Sequence, residues 1–157
     1  MGIKSFQGRR AEPEKAASAS VCVSDYMSTD LVTFRKDQTV FEVMELFLKH
    51  KISGGCVVDE DNKLLGVISE GDCMKHISDS RYYNMPMDNN LVEKRMTCNA
   101  MTIDADMNVL DAAKIFIENR FRRFPIVKNG ELVGQLSQSD VLRAALNLKG
   151  QSWNPGI

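Results

Sequence analysis

The sequence predicts a mixed α/β (α+β) fold assembled from two copies of one β-α-β-β-α unit. The first observation behind this is an internal repeat, residues 23–77 running in parallel with residues 92–146. Met27, Thr33, Asp37, Val40, Phe47 and Val58 are answered by Met96, Thr102, Asp106, Val109, Phe116 and Val127. After a one-residue contraction, Leu64, Gly66, Ser69 and Asp72 are answered by Leu132, Gly134, Ser137 and Asp140. The second observation is an apolar stripe at helical spacing in each copy, Val40, Val43, Met44 and Phe47 against Val109, Ala112, Ala113 and Phe116. The third is Asn129-Gly130 between two apolar runs, the strongest short hairpin signal. Two copies are too few for a solenoid. A unit of about 55 residues buries too little surface to be comfortably stable alone. The copies are therefore expected to pack on each other as a pseudo-twofold pair.

Taken in order, residues 1–20 are polar, carry Pro13 and show no periodic apolar face, so a flexible N-terminal tail is expected. Repeat 1 is assigned to residues 21–78. It begins with an extended segment near 31–34, followed by a helix opened by Thr39-Val40-Phe41-Glu42, a capping box. A hairpin turns through Glu60, Asp61 and Asn62, and a second helix starts near Ser69. Residues 79–90, with Tyr82, Tyr83 and Pro86 among polar neighbours, read as a linker. Repeat 2 is assigned to residues 91–148. Its extended segment lies near 101–103, and its first helix opens with Asn108 and Asp111, a weaker capping box. The shorter Asn129-Gly130 hairpin follows, then a helix starting near Ser137. Residues 149–157, ending Trp153-Asn154-Pro155-Gly156, read as a frayed tail.

Bulk properties exclude several functions. The chain of 157 residues has a formal net charge of −1 and 43% apolar residues, without the basic excess of a nucleic-acid binder. No apolar run approaches the roughly 20 residues that cross a bilayer. The polar N-terminus lacks the apolar core of a secretory signal, so a cytoplasmic location is expected. Cys22, Cys56, Cys73 and Cys98 show neither paired zinc-site spacing nor a C-x-x-C motif. They read as buried or idle thiols in a reducing compartment. His50 ends a helix beside Lys49 and Lys51, and neither it nor His76 has the companions of a triad or a metal set. No catalytic activity is expected.

The pattern that can carry chemistry is Gly-x-x-Ser-x-x-Asp, present as residues 66–72 and again as residues 134–140. In both copies it falls where a strand runs into a helix. A hydroxyl and a carboxylate there stand beside backbone N–H groups that can receive a polar ligand. The same Ser-x-x-Asp spacing is also a capping box, and duplication does not separate the two readings. A second feature is Arg120-Phe121-Arg122-Arg123 ahead of Pro125. Guanidinium groups bind phosphate in a forked, charge-assisted way, while a cationic helix end also complements the helix dipole. The matching place in repeat 1 reads Ser53-Gly54-Gly55-Cys56 and supplies no charge.

In combination these marks identify a family. Met27-Ser28 and Met96-Thr97, Thr33 and Thr102, Asp37-x-Thr39-Val40 and Asp106-x-Asn108-Val109 come first. Arg123-Phe124-Pro125-Ile126-Val127 and the two Gly-x-x-Ser-x-x-Asp strings follow. The chain resembles a tandem pair of cystathionine-β-synthase (CBS) domains, a Bateman module, from about residue 21 to residue 148. The resemblance implies a regulatory module that senses adenosine-containing ligands in clefts between the repeats and signals to a separate protein. AMP, ADP or ATP lead, with NAD or S-adenosylmethionine as alternatives and no cofactor required. It implies ribose hydroxyls on Asp72 and Asp140, the ribose-phosphate end on Ser69 and Ser137, and adenine near Thr33 and Thr102. Arg122 and Arg123 would reach phosphates held by the other repeat. The resemblance also implies a homodimer. A ligand-independent dimerisation or interaction module is the competing reading.

Overall fold

The computed structural model describes residues 21–87 and 90–149. The expected tail at 1–20 and all but the first residue of the one at 149–157 lie outside the described residues.

Repeat 1 builds strand β1 (Thr33–Phe34), helix α1 (Val40–His50), strands β2 (Gly54–Val58) and β3 (Leu64–Ser69), and helix α2 (Glu70–Tyr82). A short helix α3 (Val92–Arg95) and strand β4 (Thr97–Cys98) lead into repeat 2. Repeat 2 repeats the order with β5 (Ile103–Asp104), α4 (Asp111–Asn119), β6 (Arg123–Lys128), β7 (Glu131–Ser137) and α5 (Gln138–Asn147). The sheets run β1-β2-β3-β4 and β5-β6-β7. In each, the short first strand pairs in parallel with the second, and the hairpin is antiparallel. Both hairpins carry a register shift at the same place, Val57/Val58 and Ile126/Val127. The mixed α+β class, doubled, is the architecture the sequence predicts.

The local signals account for most element ends. Val40, Val43 and Phe47 are buried on α1, as are Ala112 and Phe116 on α4. Asn129 and Gly130 both take positive φ (52° and 79°), the backbone that a two-residue hairpin requires. Thr39 caps α1, its Oγ1 accepting from the Glu42 N–H at 3.2 Å. The reciprocal bond from the Thr39 N–H to the Glu42 side chain is not formed among the described residues, and the flanking Val40 N–H and Gln38 carbonyl bond Asn90 and Val92 instead. Asn108 does not cap α4, which starts three residues later. Its Oδ1 accepts from the Leu110 N–H at 2.9 Å, closing a turn before the helix. The second helix of repeat 1 runs on to Tyr82, so the first four residues of the expected linker are helical.

The linker region is also held by side chains. Arg95 Nη1 lies 2.7 Å from Asp79 Oδ2. His76 is buried, with Nε2 2.9 Å from the Met87 carbonyl and Nδ1 3.1 Å from Asn90 Nδ2. Donation from Nε2 to the Met87 carbonyl and acceptance at Nδ1 from the Asn90 amide satisfy both contacts.

One arrangement does not follow the sequence order. The segment that opens each repeat packs on the other repeat. Val23 belongs to the core of Ile103, Val109, Phe116 and Leu136, whereas Val92 belongs to that of Phe34, Val40, Phe47 and Ile68. The crossing is backbone-bonded: the Val23 and Ser24 N–H groups donate to Met107 and Ala105. The Val92 and Glu93 N–H groups donate likewise to Gln38 and Lys36. Strand β4 then pairs with β3, and Ser28 bridges to Gln135 of β7. A third apolar cluster, Cys56, Val58 and Leu132 with Leu31, Leu64 and Val67, lies between the two units. This exchange satisfies the need of each small unit for more buried surface.

Candidate functional site: a cleft between the repeats

Both Gly-x-x-Ser-x-x-Asp strings form complete capping boxes at strand–helix junctions. In repeat 1, Asp72 Oδ2 accepts from the Ser69 N–H at 2.8 Å and the Ser69 hydroxyl at 3.1 Å. In repeat 2, Asp140 Oδ2 accepts from the Ser137 N–H at 2.8 Å and its hydroxyl at 3.0 Å. Each aspartate thus orients a helix N-terminus with one oxygen.

The leading glycines have a structural cause. A Cβ on Gly66 would stand 2.5 Å from the Thr97 carbonyl oxygen, and one on Gly134 would stand 2.5 Å from Met27 Sδ and 2.9 Å from the Ser28 carbonyl oxygen. Both glycines make room for the segment crossing from the other repeat.

Residues of both repeats line one cavity of about 590 Å³, within the size range of small-molecule sites. Ser69 and Asp72 line it from repeat 1, and Arg122, Arg123 and Ser137 from repeat 2. The register explains the assembly: Gly54 stands opposite Ser69 and Arg123 opposite Ser137, so each hairpin's entry flanks its own helix N-terminus. Pro125 on β6 and Phe121 before it add apolar lining. Arg122 and Arg123 are exposed and form no ion pair among the described residues. They stand at the start of β6 and not at a helix end. Arg120 does not line the cavity; its left-handed backbone (φ 53°) ends α4, as Lys51 (φ 54°) ends α1.

Three of the expected site residues do not line this cavity. Thr33 lies on β1, on the far side of the sheet order from β3 and β4. Thr102 lines a separate cavity of about 240 Å³ with Gly66, Asn99 and Val127. Asp140 is only 5% exposed, and its Oδ1 is bonded by Arg143. Thr97 and Gln135 line the cavity although the motif reading passed over them. Both owe that place to the crossing, since β4 brings Thr97 onto β3 and Gln135 bridges to Ser28. Gln135 Nε2 donates to the Cys56 sulfur at 3.5 Å, its one partner among the described residues.

Cys56 and Cys73 are the buried thiols of the described residues. Burial, then the neighbouring carboxylates of Asp72 and Glu70, push the Cys73 thiol up. Burial raises Cys56 as well, partly offset by Gln135. Both stay protonated near neutral pH and poor as nucleophiles. Among the described residues no cluster of His, Cys, Asp and Glu is arranged to hold a metal ion. No described helix is long and apolar enough to cross a membrane.

An anionic group entering this cavity meets two guanidinium groups and two helix N-termini, while hydroxyls and apolar walls remain for the rest of the ligand. Comparison with known proteins adds to this geometry. The CBS domain matches residues 23–79 and again 92–147. The chloroplastic CBS domain-containing protein CBSX1 of Arabidopsis thaliana is 32% identical over 153 residues, covering 81% of this chain and 65% of that protein. This chain therefore spans just under two thirds of that relative's length. A 17.7 kDa protein of Acidianus ambivalens is 33% identical over 127 residues, covering 80% of this chain and 74% of its own. The crystal structure of CBSX2 in complex with AMP is similar at a TM-score of 0.72 and 29% identity, covering 83% of this chain and 99% of CBSX2. The CBS domain pair of protein MJ0100, in complex with 5′-methylthioadenosine and S-adenosylmethionine, gives a TM-score of 0.65 at 25% identity. It covers 78% of this chain and 97% of its own. With both repeats matched and their exchanged segments accounted for, the chain belongs to the CBS domain family as a tandem pair.

Proposed function

We propose that this chain is a non-catalytic regulatory module that binds an adenosine-containing nucleotide, AMP, ADP or ATP, between its repeats and signals to a separate protein. The observation that carries the reading is the meeting of Ser69 and Asp72 from one repeat with Arg122 and Arg123 from the other in one cavity. A carboxylate suits a vicinal diol, while a helix N-terminus and paired guanidinium groups suit phosphate. The AMP complex of CBSX2 supports the same ligand class. In this reading Asp72 accepts from ribose hydroxyls, Ser69 and Ser137 hold the ribose-phosphate end, and the two arginines neutralise phosphate. Thr97 lines the cavity, whereas Thr33 and Thr102 do not. The S-adenosylmethionine complex of MJ0100 favours a second reading, in which the same pocket takes that cation or 5′-methylthioadenosine. NAD presents an adenosine as well.

A homodimer belongs to the proposal. Leu48 and Ile117 occupy equivalent positions on α1 and α4, as do Met74 and Leu142 on α2 and α5, and all four are exposed. The proposed location is the cytoplasm; CBSX1 is named chloroplastic, and fractionation of cells expressing the tagged chain separates the two.

A thermal-shift panel with AMP, ATP, NAD and S-adenosylmethionine tests the ligand. A ligand present at 100 times its dissociation constant adds about 2.7 kcal/mol to stability, a shift readily read. Stabilisation by AMP or ATP above the other two supports the reading. No shift with any of the four would overturn it in favour of a ligand-independent interaction module.

A further inference from the structure

The two capping boxes are alike in every bond except one. Asp72 and Asp140 each give Oδ2 to their serine, but their Oδ1 atoms differ. Asp72 is half-buried, lines the cavity, and has no protein partner on Oδ1 among the described residues. Asp140 is buried away from the cavity, and its Oδ1 is bonded by the Arg143 guanidinium, one helical turn on. The residue of repeat 1 that corresponds to Arg143 is Lys75, which makes no ion pair among the described residues.

We propose that Arg143 closes the second half of the cleft, so that each chain binds one adenosine ligand, at Asp72. The inference rests on the nucleotide reading above and deepens it by assigning the stoichiometry and the residue that determines it. A carboxylate holding a backbone N–H, a hydroxyl and a guanidinium has little capacity left for a diol. Neutral ribose hydroxyls would have to displace a charge-assisted bond to a buried carboxylate, made by a guanidinium whose own side chain is 64% exposed. Arg143 meets Asp140 through one nitrogen, Nη2, on Oδ1, whereas lysine at the same position is a compact, strongly hydrated charge on a flexible stem. Repeat 1 carries that lysine and keeps its aspartate open. Arg143 is a positioning residue here, acting through Asp140 on a ligand that it does not touch.

Calorimetry on the full chain with AMP and with adenosine tests this. The wild type is expected to bind one molecule per chain, and Asp72→Ala to lose at least tenfold in affinity with no residual tight site. Arg143→Lys is expected to bind a second molecule, most visibly adenosine, which does not need the charge missing at Ser53 and Gly54. The double variant Asp72→Ala/Arg143→Lys is expected to recover one site. Two molecules per wild-type chain overturn the inference, as does a folded Arg143→Lys variant that still binds one. Should Arg143→Lys fail to fold, the wild type and Asp72→Ala decide alone, because an open Asp140 site would survive the loss of Asp72. A wild type that binds neither probe overturns the nucleotide reading itself, an outcome distinct from a wrong count.

Discussion

At the scale of single residues, charge separates the two halves of the cleft. A shift of 69 residues carries Ser53 and Gly54 onto Arg122 and Arg123. Nothing about strand formation demands arginine at that place, since the glycine-bearing copy builds the same strand. Hydrogen bonds to charged groups contribute on the order of 1.5–3 kcal/mol, so losing one such contact weakens binding about tenfold or more. Arg123→Ala is therefore expected to weaken AMP and ATP by about that factor and leave adenosine nearly unchanged, as measured by calorimetry. Equal losses for nucleotide and nucleoside would show that Arg123 shapes the pocket without meeting phosphate. The arginines and both serine–aspartate pairs were legible as local motifs. The closure of Asp140 was not, because Ser-x-x-Asp spacing is the same whether or not a guanidinium occupies the second oxygen.

At the scale of elements, the crossing segments decide how tightly the strands are packed. Gly66 and Gly134 follow from that crossing and not from a turn, since neither has a positive φ. A Cβ on Gly66 meets the Thr97 backbone, which cannot rotate away as a side chain can. Overpacking of this kind costs typically 1–3 kcal/mol. Gly66→Ala should therefore lower stability by about that amount in urea unfolding. A loss below about 0.5 kcal/mol, the usual range for neutral surface changes, would mean that β4 shifts freely on β3. The helices themselves were readable from the apolar stripe and the caps, because helix formation is governed by neighbours three and four residues apart. Asn108 shows the limit of that reading. Its side chain closes a turn onto the Leu110 N–H and the helix starts at Asp111, while the neighbouring Val109 N–H bonds the carbonyl of Val21, far away in the chain.

For the whole molecule, the exposed apolar residues point to association. Leu48 is 81% exposed and Ile117 78%, and Leu146 at 71% extends the surface on α5. A copy of the chain related by a twofold axis can cover both faces with the same contacts, as an isologous interface does. Light scattering at micromolar concentration should give twice the 17.6 kDa chain mass. Leu48→Glu combined with Ile117→Glu should shift it toward monomer with the secondary structure retained. A wild-type monomer would leave these side chains as scattered surface residues, which are common.

The sequence by itself determined the doubled α+β unit, the helix faces, the Asn129-Gly130 turn and the identity of the polar residues at the strand–helix junctions. Those features depend on spacing within a few residues, where backbone periodicity and capping act. Tertiary structure alone decided that residues 21–28 pack on repeat 2 and residues 90–98 on repeat 1. It decided too that Thr97 and Gln135 enter the cleft while Thr33 and Thr102 stay out of it. The exchange satisfies backbone groups and buries apolar surface between segments far apart in the chain, and no local pattern records which distant partner a strand edge will find.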